Sequence, residues 1–131
     1  MGSQLRTADN CVFCNMSRFH ILLRNEHAFA ILDEHPVTEG HTLIIPVRHF
    51  SDFFAITSAE RTAVFELLTM RREMLLKGDP SIAGFNVGVN IGEVAGQTIF
   101  HVHLHMIPRR RGDIENPRGG VRGVIPGKMN Y

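Results

Sequence analysis

Three histidines alternate with apolar residues in the stretch His101-Val102-His103-Leu104-His105. Because side chains in a β-strand alternate between its two faces, this spacing predicts three imidazoles on one face and an apolar row on the other. Each imidazole needs partners for two ring nitrogens, so three of them are a poor choice for filling a core. The pattern therefore indicates a reactive or ligand-binding surface.

Two kinds of chemistry fit such a surface. Histidines on one strand face can ligate a metal ion, which would make the chain a metal-centred enzyme. Alternatively, a neutral imidazole is nucleophilic near pH 7 and can attack phosphorus, with its neighbours as donors to the same phosphate. The strand carries no paired carboxylate, which disfavours the metal-centred enzyme.

The two cysteines of the chain, Cys11 and Cys14, form a C-x-x-C motif. Without a secretory signal a structural disulfide is not expected. Three interpretations remain, namely half of a metal site, a redox pair, or two buried reduced thiols. A thioredoxin-like redox motif should follow a strand and open a long helix, and the flanking sequence lacks that pattern. Half of a zinc site, completed by histidines, is the more informative possibility.

Short apolar and β-branched runs predict the strands that must position these residues, at 21–24, 27–32, 41–46, 85–91 and 102–108. Thr57 and Glu60 form a capping box that starts one long helix, which ends at Lys77-Gly78. The apolar stripe of this helix is predicted to comprise Val64, Leu67, Leu68, Met74 and Leu75. A short N-terminal helix of one or two turns is expected between residues 10 and 19. Together these elements predict an α+β fold with a mainly antiparallel five-stranded sheet.

Composition limits the class of protein. The chain has 131 residues, of which 44% are hydrophobic and 21% charged, as in one soluble globular domain. The net charge of +1 argues against general attraction to nucleic acid or an anionic membrane. Residues 1–6 lack the apolar core of a signal peptide, so we expect a cytoplasmic protein.

The histidine stretch, extended through Met106 and Ile107, closely resembles the defining motif of the histidine triad (HIT) family. The likeness covers nearly the whole chain, since further segments at 11–14, 31–36, 40–49 and 90–98 resemble segments of that family. Residues 112–131 resemble a branch often labelled diadenosine polyphosphate hydrolase-like. The resemblance implies a HIT-like domain over residues 1–111. Residues 112–131 would be a basic, glycine-rich tail in the same domain or in a dimer interface.

The resemblance also implies an activity, with His103 as the nucleophile. The chain would be a nucleotidyl hydrolase that cleaves at the α-phosphate of nucleoside phosphoramidates or dinucleoside polyphosphates, through a nucleotidyl-histidine intermediate. The rest of the implied catalytic set is His41, Gln97, Thr98, His101 and His105. The implied nucleotide-binding residues are Asp33 for the ribose, Asn90 for phosphate or ribose, and Val12, Phe13, Met16 and Ile31 for a purine base. The alternative is a nucleotide-binding HIT scaffold protein with little turnover.

Some HIT proteins hold a structural zinc ion with residues that match Cys11, Cys14, His49 and His101. The resemblance therefore implies a structural zinc, with no cofactor needed for catalysis. It also implies a homodimer, for which the helix stripe, Phe53, Phe54 and Phe65 would offer apolar surface. His20, His27 and His35 match no motif and are interpreted as surface or packing residues.

The tail that begins at Arg109 carries six basic and two acidic residues, with arginines standing among glycines. Three interpretations compete. The tail is simply solvated, or it binds nucleic acid, which the lack of interleaved aromatic residues disfavours. In the third interpretation it borders an active site, and its arginines contact the distal phosphates of a long substrate.

Overall fold

The computed structural model of the chain describes residues 8–131; the interpretation of residues 1–6 as lacking a signal peptide lies outside the described residues. One antiparallel sheet has the strand order β1-β2-β3-β5-β4. Its strands are β1 (Leu23–Arg24), β2 (Ala28–Leu32), β3 (Thr42–Pro46), β4 (Ile82–Gly88) and β5 (Leu104–Arg110). The helix α1 (Ser58–Gly78) connects β3 to β4. The predicted α+β class with five strands and one long helix is confirmed.

The expected short N-terminal helix is replaced by three consecutive 3₁₀ turns, at Ala8–Asn10, Val12–Cys14 and Met16–Arg18. Backbone bonds over three residues close them, such as the one from the Cys14 N–H to the Cys11 carbonyl at 3.2 Å. Short 3₁₀ pieces change direction more often than an α-helix does. This segment therefore follows the surface of the sheet.

Apolar residues cover both faces of the sheet. On one face the core packs against α1 and contains Ala28, Ala30, Ile44, Phe50, Ala63, Val64, Leu67, Val102 and Leu104. On the other face the N-terminal turns complete a second core of Cys11, Phe13, Phe29, Ile31, Leu43 and Ile45. The face that carries the histidines is thus mostly buried, because the N-terminal segment lies over it.

Helix α1 begins with the predicted capping box. The Thr57 hydroxyl accepts from the Glu60 N–H at 3.1 Å, and the Glu60 carboxylate accepts from the Thr57 N–H at 2.9 Å. The predicted stripe is only partly right, since Met74 is exposed and the buried Arg71 donates to the Thr42 hydroxyl at 2.8 Å. Leu75, also of the predicted stripe, is half-buried and lies close to Gly40.

The histidine stretch enters its strand later than predicted. Strand β5 begins at Leu104 because the Val102 N–H donates to the Phe50 carbonyl at 2.8 Å, outside the sheet. Strand β4 ends at Gly88, where it pairs with His105, rather than at the predicted position 91. Residues 89–97 therefore leave the sheet and form a loop beside the histidines.

The tail folds back on itself. Gly119 has a φ of 88°, and a Cβ there would collide with the Met129 carbonyl. The guanidinium groups of Arg118 and Arg122 lie 4.6 and 4.7 Å from the centre of the Tyr131 ring. These contacts hold parts of the tail together, although most of its side chains are exposed to solvent. The interpretation of the tail as a solvated segment stays a prediction.

The arginines at the start of the tail are engaged in ion pairs. Arg109 binds Asp113 with two bonds of 2.8 Å, and Arg110 lies 2.9 Å from Asp79. These side chains therefore have carboxylate partners within the chain.

Within residues 8–131 the structure contains no helix with the length and apolar character needed to cross a membrane.

We predict that Glu60→Gln removes a pH-dependent part of the stability. The Arg48 guanidinium, 2.8 and 2.9 Å away, lowers the pKa of Glu60 from 4.5 to about 2. The stabilisation is therefore present above pH 4.5 and is lost as the pH falls towards 2. Because Arg48 is half exposed, we expect about 2 kcal/mol at pH 7. Urea unfolding of both proteins at pH 7 and pH 3 measures this difference, and an equal difference at both pH values would contradict it.

Candidate active site

A cavity of about 300 Å³ lies between the N-terminal turns, the end of β2 and the histidine stretch. Eight of the residues predicted for the site line it, namely Val12, Phe13, Ile31, Asp33, Asn90, Thr98, His103 and His105. The apolar members lie on the side of the N-terminal turns and β2. The cavity therefore combines an apolar wall with two imidazoles.

The His103 ring is held in one tautomer. Its Nδ1 lies 2.8 Å from the His101 carbonyl oxygen, which can only accept, so Nδ1 carries the proton and Nε2 carries the lone pair. No group in residues 8–131 hydrogen-bonds to this Nε2, and no buried polar side-chain atom there lacks a partner. The Nε2 atom is therefore accessible, and it can act as a nucleophile towards a molecule in the cavity.

Burial keeps this ring neutral. His103 is 8% exposed and its ring packs 5.1 Å from the Phe13 ring, centre to centre. Burial lowers the pKa of His103 below its usual 6.5, and the neighbouring His105 lowers it further. The lone pair on Nε2 is thus available at pH 7 and persists under mildly acidic conditions.

A second imidazole presents a hydrogen-bond donor to the cavity. The Val37 N–H donates to His41 Nδ1 at 3.0 Å, so the proton of neutral His41 is on Nε2. That Nε2 lies 2.9 Å from His105 Nδ1 and donates to it. Neutral His105 therefore carries its own proton on Nε2. Burial lowers the pKa of both rings, so both are neutral at pH 7.

Asp33 joins these two rings. Its Oδ1 accepts from the His35 N–H at 2.7 Å, and its Oδ2 lies 3.5 Å from His41 Nε2 and 3.9 Å from His105 Nδ1. One potential ligand atom from each of Asp33, His41 and His105 lies within 4.8 Å of the other two, close enough for a metal ion. A metal would need the lone pair of His41 Nε2, whereas the Val37 bond places a proton there. The geometry therefore favours a hydrogen-bonded network.

A second cluster has the geometry of a tetrahedral zinc site. The Sγ–Nδ1 distances are 3.4 Å for Cys11–His101, 3.5 Å for Cys14–His101 and 3.3 Å for Cys14–His49, and the two Nδ1 atoms are 3.3 Å apart. Zinc bond lengths of about 2.3 Å to sulfur and 2.0–2.1 Å to nitrogen place tetrahedral ligands about 3.4–3.5 Å apart. The His101 Nε2–H donates to the Pro46 carbonyl at 2.7 Å, which leaves the Nδ1 lone pair for a metal. The residues therefore fit zinc.

Comparison with known proteins agrees with this arrangement. The sequence pattern of the HIT domain matches residues 17–112. The chain belongs to the HIT family. This is a family of nucleotide-binding hydrolases and transferases, and the predicted family membership is confirmed.

Three similar proteins illustrate the likeness. The crystal structure of a HIT family protein from Bacillus anthracis is 40% identical, with a TM-score of 0.75 over 82% of this chain and 78% of that one. A Zn-bound histidine triad family protein from Mycobacterium smegmatis is 32% identical, with a TM-score of 0.73 over 82% and 80% of the two chains. The adenylylsulfatase HINT3 of Arabidopsis thaliana is 34% identical over 80% of this chain and 55% of its own.

Four residues predicted for this HIT site lie outside the cavity. His41 does not line this cavity, and its Nε2 lies 2.9 Å from Nδ1 of His105, which does. His101 is fully buried, and its two ring nitrogens face Pro46 and the Cys/His cluster, so the structure does not place it beside a phosphate. Met16 packs in the core of the N-terminal face instead of lining the cavity.

The structure also places Gln97 away from the cavity. Its Oε1 accepts from the Gly92 N–H at 2.9 Å, and its Nε2 donates to the Ser51 carbonyl at 2.9 Å. Both ends of this buried amide are therefore engaged in holding the loop that carries Thr98. Thr98 itself lines the cavity, as predicted.

Several lining residues were missed by sequence reasoning. His35 was interpreted as a surface or packing residue, yet it lines the cavity beside Asp33. Arg18 and Phe19 line the side formed by the N-terminal turns, and Leu43 lies between them and the histidines. The position of His35 two residues after Asp33, in a turn closed by the Asp33 side chain, was the available signal. Arg18 and Phe19 carried no signal, because only the fold brings them to the cavity.

We predict distinct tautomers for the buried histidines at pH 7. His103 should be protonated on Nδ1, whereas His41, His101 and His105 should be protonated on Nε2. Long-range ¹H–¹⁵N spectra assign the protonated nitrogen of each ring directly. Because burial lowers its pKa, His103 should remain neutral down to a pH below 6.5. A proton on His103 Nε2 at pH 7 would contradict the proposed role of that atom.

Proposed function

We propose that this HIT protein is a nucleotidyl hydrolase that acts at the α-phosphate of nucleoside phosphoramidates or dinucleoside polyphosphates. The observation that carries the proposal is the accessible, unprotonated Nε2 of His103 in a cavity with an apolar wall. A scaffold that only bound nucleotides would not need a nucleophile fixed in one tautomer. The orientation of that ring therefore favours turnover over binding alone.

In the first step, His103 Nε2 attacks the α-phosphorus. A nitrogen–phosphorus bond forms, the bond to the leaving group breaks, and the leaving group departs with its electron pair and takes up a proton. The imidazole becomes positively charged in the intermediate. The His101 carbonyl, which accepts from Nδ1–H at 2.8 Å, stabilises that charge because its oxygen is the negative end of a dipole.

Two side chains support this step. The Nε2–H of neutral His105 donates to a phosphoryl oxygen, and the Thr98 hydroxyl donates to the leaving atom. In the second step water attacks the same phosphorus and gives up a proton to solvent, the bond to His103 breaks with its electron pair returning to Nε2, and a nucleoside monophosphate leaves. Splitting one displacement into two easier ones is the advantage of a covalent intermediate. No metal ion is needed for either step.

The remaining cavity residues bind the nucleoside. The second carboxylate oxygen of Asp33 accepts from the ribose hydroxyls, and Asn90 contacts ribose or phosphate. Val12, Phe13 and Ile31 contact the purine base through the apolar wall. A relative named as an adenylylsulfatase supports nucleotidyl conjugates as the class of substrate.

We further propose that Cys11, Cys14, His49 and His101 hold a structural zinc ion. When bound, the zinc would cross-link the N-terminal turns to the histidine stretch. Two observations support this site: the distances between the sulfur and nitrogen atoms of these four residues, and the zinc-bound relative from Mycobacterium smegmatis. The ring of Phe13, between the two cysteines, would then be held against His103.

We also propose that the protein is cytoplasmic and forms a homodimer. It would bind neither nucleic acid nor membranes. Two free thiols suit a reducing compartment, and the net charge of +1 gives no general attraction to nucleic acid. The exposed rings of Phe54 and Phe65 support an apolar contact surface between two copies.

We predict that His103→Ala lowers kcat for adenosine 5′-phosphoramidate by at least about 10³-fold, or about 4 kcal/mol in the barrier. Nucleotide affinity should change little, because the ring contributes reactivity more than binding. Product formation and calorimetric titration with AMP measure the two effects. The matched control is His27→Ala, which removes a half-exposed histidine remote from the cavity. If His103→Ala retains a tenth of the wild-type turnover, another residue is the nucleophile.

We predict about one zinc per chain in protein purified without chelators. Cys11→Ser should lose the metal and lower the melting temperature, because the binding free energy of a structural metal adds to that of folding. The rate of the chemical step in the folded variant should fall much less than in His103→Ala. Metal analysis, thermal unfolding and single-turnover kinetics check these points. A metal-free preparation with undiminished stability would contradict the structural role.

A further inference from the structure

The loop between β4 and the histidine stretch carries two polar side chains that line the cavity, one near each of its ends. Asn90 follows the end of β4 by two residues, and Thr98 precedes His101 by three. A segment that has left the sheet has no strand partner to fix its position, and loops are the more mobile parts of a fold. Another interaction must therefore hold these two side chains at the cavity.

Gln97 closes this loop by holding Gly92 at both of its backbone polar groups. The backbone N–H of Gln97 donates to the Gly92 carbonyl at 3.1 Å, and the Gly92 N–H donates to the side-chain Oε1 of Gln97 at 2.9 Å. Gly96 lies inside the closed loop with a φ of 97°, in the left-handed region that favours glycine. A Cβ on Gly96 would lie 3.9 Å from Nδ2 of Asn90. The Asn90 side chain therefore lies beside the residue that precedes Gln97.

The other end of the Gln97 amide attaches the closed loop to the rest of the site. Its Nε2 donates to the Ser51 carbonyl at 2.9 Å and to the Ile99 carbonyl at 3.3 Å. The adjacent carbonyl, that of Phe50, accepts from the Val102 N–H at 2.8 Å. Two consecutive carbonyls therefore fix the loop and the histidine stretch to the same segment of backbone.

These bonds match the chemistry and the length of glutamine. Its amide combines one accepting oxygen with an N–H₂ group that can donate twice, as the Gly92 N–H and the two carbonyls require. Asparagine offers the same groups on a side chain that is one methylene shorter, and glutamate replaces the donors with an acceptor. Because Gln97 is only 4% exposed, a carbonyl that lost this partner would be left without a hydrogen bond in a buried place, which is costly.

We propose that Gln97 is a positioning residue for the hydrolysis, which fixes Asn90 and Thr98 relative to His103. The inference rests on the proposed function. Gln97 does not line the cavity, so it acts through these two side chains and not by touching the substrate. Its loss should lower kcat, because misplacing reacting groups by about 1 Å can cost about 10²-fold in rate. Nucleoside binding should change much less, since Asp33 and the apolar wall belong to other elements.

The first test is Gln97→Ala with adenosine 5′-phosphoramidate as the substrate. We expect kcat to fall about 10²-fold, whereas the Kd for AMP should rise less than about threefold. Two control variants should leave kcat nearly unchanged. Val94→Ala alters an exposed residue of the same loop, and Val64→Ala truncates a core residue of α1 to match the loss of stability. The same fall of kcat in either control would assign the effect to the loop surface or to stability and overturn the proposal.

Gln97→Glu gives a pH profile that a general loss of stability would not produce. At pH 8 the carboxylate can accept from the Gly92 N–H, but its second oxygen repels the Ser51 carbonyl. Burial and the carboxylates of Asp52 and Glu93, which line a surface hollow together with Gln97, should raise the pKa of the new carboxyl group. Once protonated, that group can donate to Ser51.

The kcat of Gln97→Glu relative to the wild type should therefore rise at least about tenfold between pH 8 and pH 5.5. The same ratio for Gln97→Ala should stay constant, because alanine has no group that can regain the bond. A constant ratio for Gln97→Glu would show that the bond to Ser51 does not affect the reaction, and would overturn the proposal.

A measurement without turnover separates this inference from the proposed function. In ¹H–¹⁵N spectra, Gln97→Ala should shift the side-chain amide signal of Asn90 and the backbone signal of Thr98, whereas the signal of Asp33 stays in place. These shifts, together with a wild-type protein that hydrolyses no nucleotide conjugate, would overturn the hydrolase and retain the placement of both side chains by Gln97. Wild-type hydrolysis with an unchanged kcat in Gln97→Ala would overturn the positioning role and retain the hydrolase.

Discussion

The hydrogen bond from Nδ1 of His103 to the carbonyl of His101 determines which nitrogen faces the cavity. With the proton fixed on Nδ1, the lone pair is on Nε2, which is accessible from the cavity. The carbonyl itself is held in place because the His101 ring donates to Pro46 and faces the Cys/His cluster. The proposed nucleophile and the proposed metal centre therefore share His101, whose backbone carbonyl accepts from His103 and whose ring faces the Cys/His cluster.

Burial of the histidine face makes this arrangement chemically useful. The N-terminal turns cover the sheet, so His101 and His103 are taken out of water, and burial lowers the pKa of His101 to about 4. Burying an imidazole is costly unless its nitrogens have partners. Here each buried nitrogen has one, through Pro46, the His101 carbonyl, Val37 or a neighbouring ring, and the accessible nitrogens of His103 and His105 face the cavity. The network remains neutral and ordered at pH 7.

Local patterns predicted the histidine face, the pair of cysteines and the start of α1, whereas the other candidate site residues came from the resemblance to the HIT family. The alternation of His103 and His105 with apolar residues, the C-x-x-C motif and the capping box each depend on neighbours a few residues apart, and the structure contains all three features. The positions of His101 and Gln97 could not be predicted in this way. Each is decided by backbone carbonyls far away in the sequence, at Pro46 and Ser51. The end of β4 likewise depends on where its partner strand begins.

The tail shows why composition alone misjudges a surface. Its arginines suggested phosphate binding, yet Arg109 and Arg110 are engaged by carboxylates, and Arg118 and Arg122 lie over the Tyr131 ring. Val37 and Val124 are far apart in the sequence, yet both line a cavity of about 500 Å³ beside His105. His105 lies in β5 and His103 directly precedes that strand, whereas Val121 and Val124, which line the cavity beside His105, belong to the tail. The surface beside these histidines therefore depends on the fold of the tail as well as on the sheet.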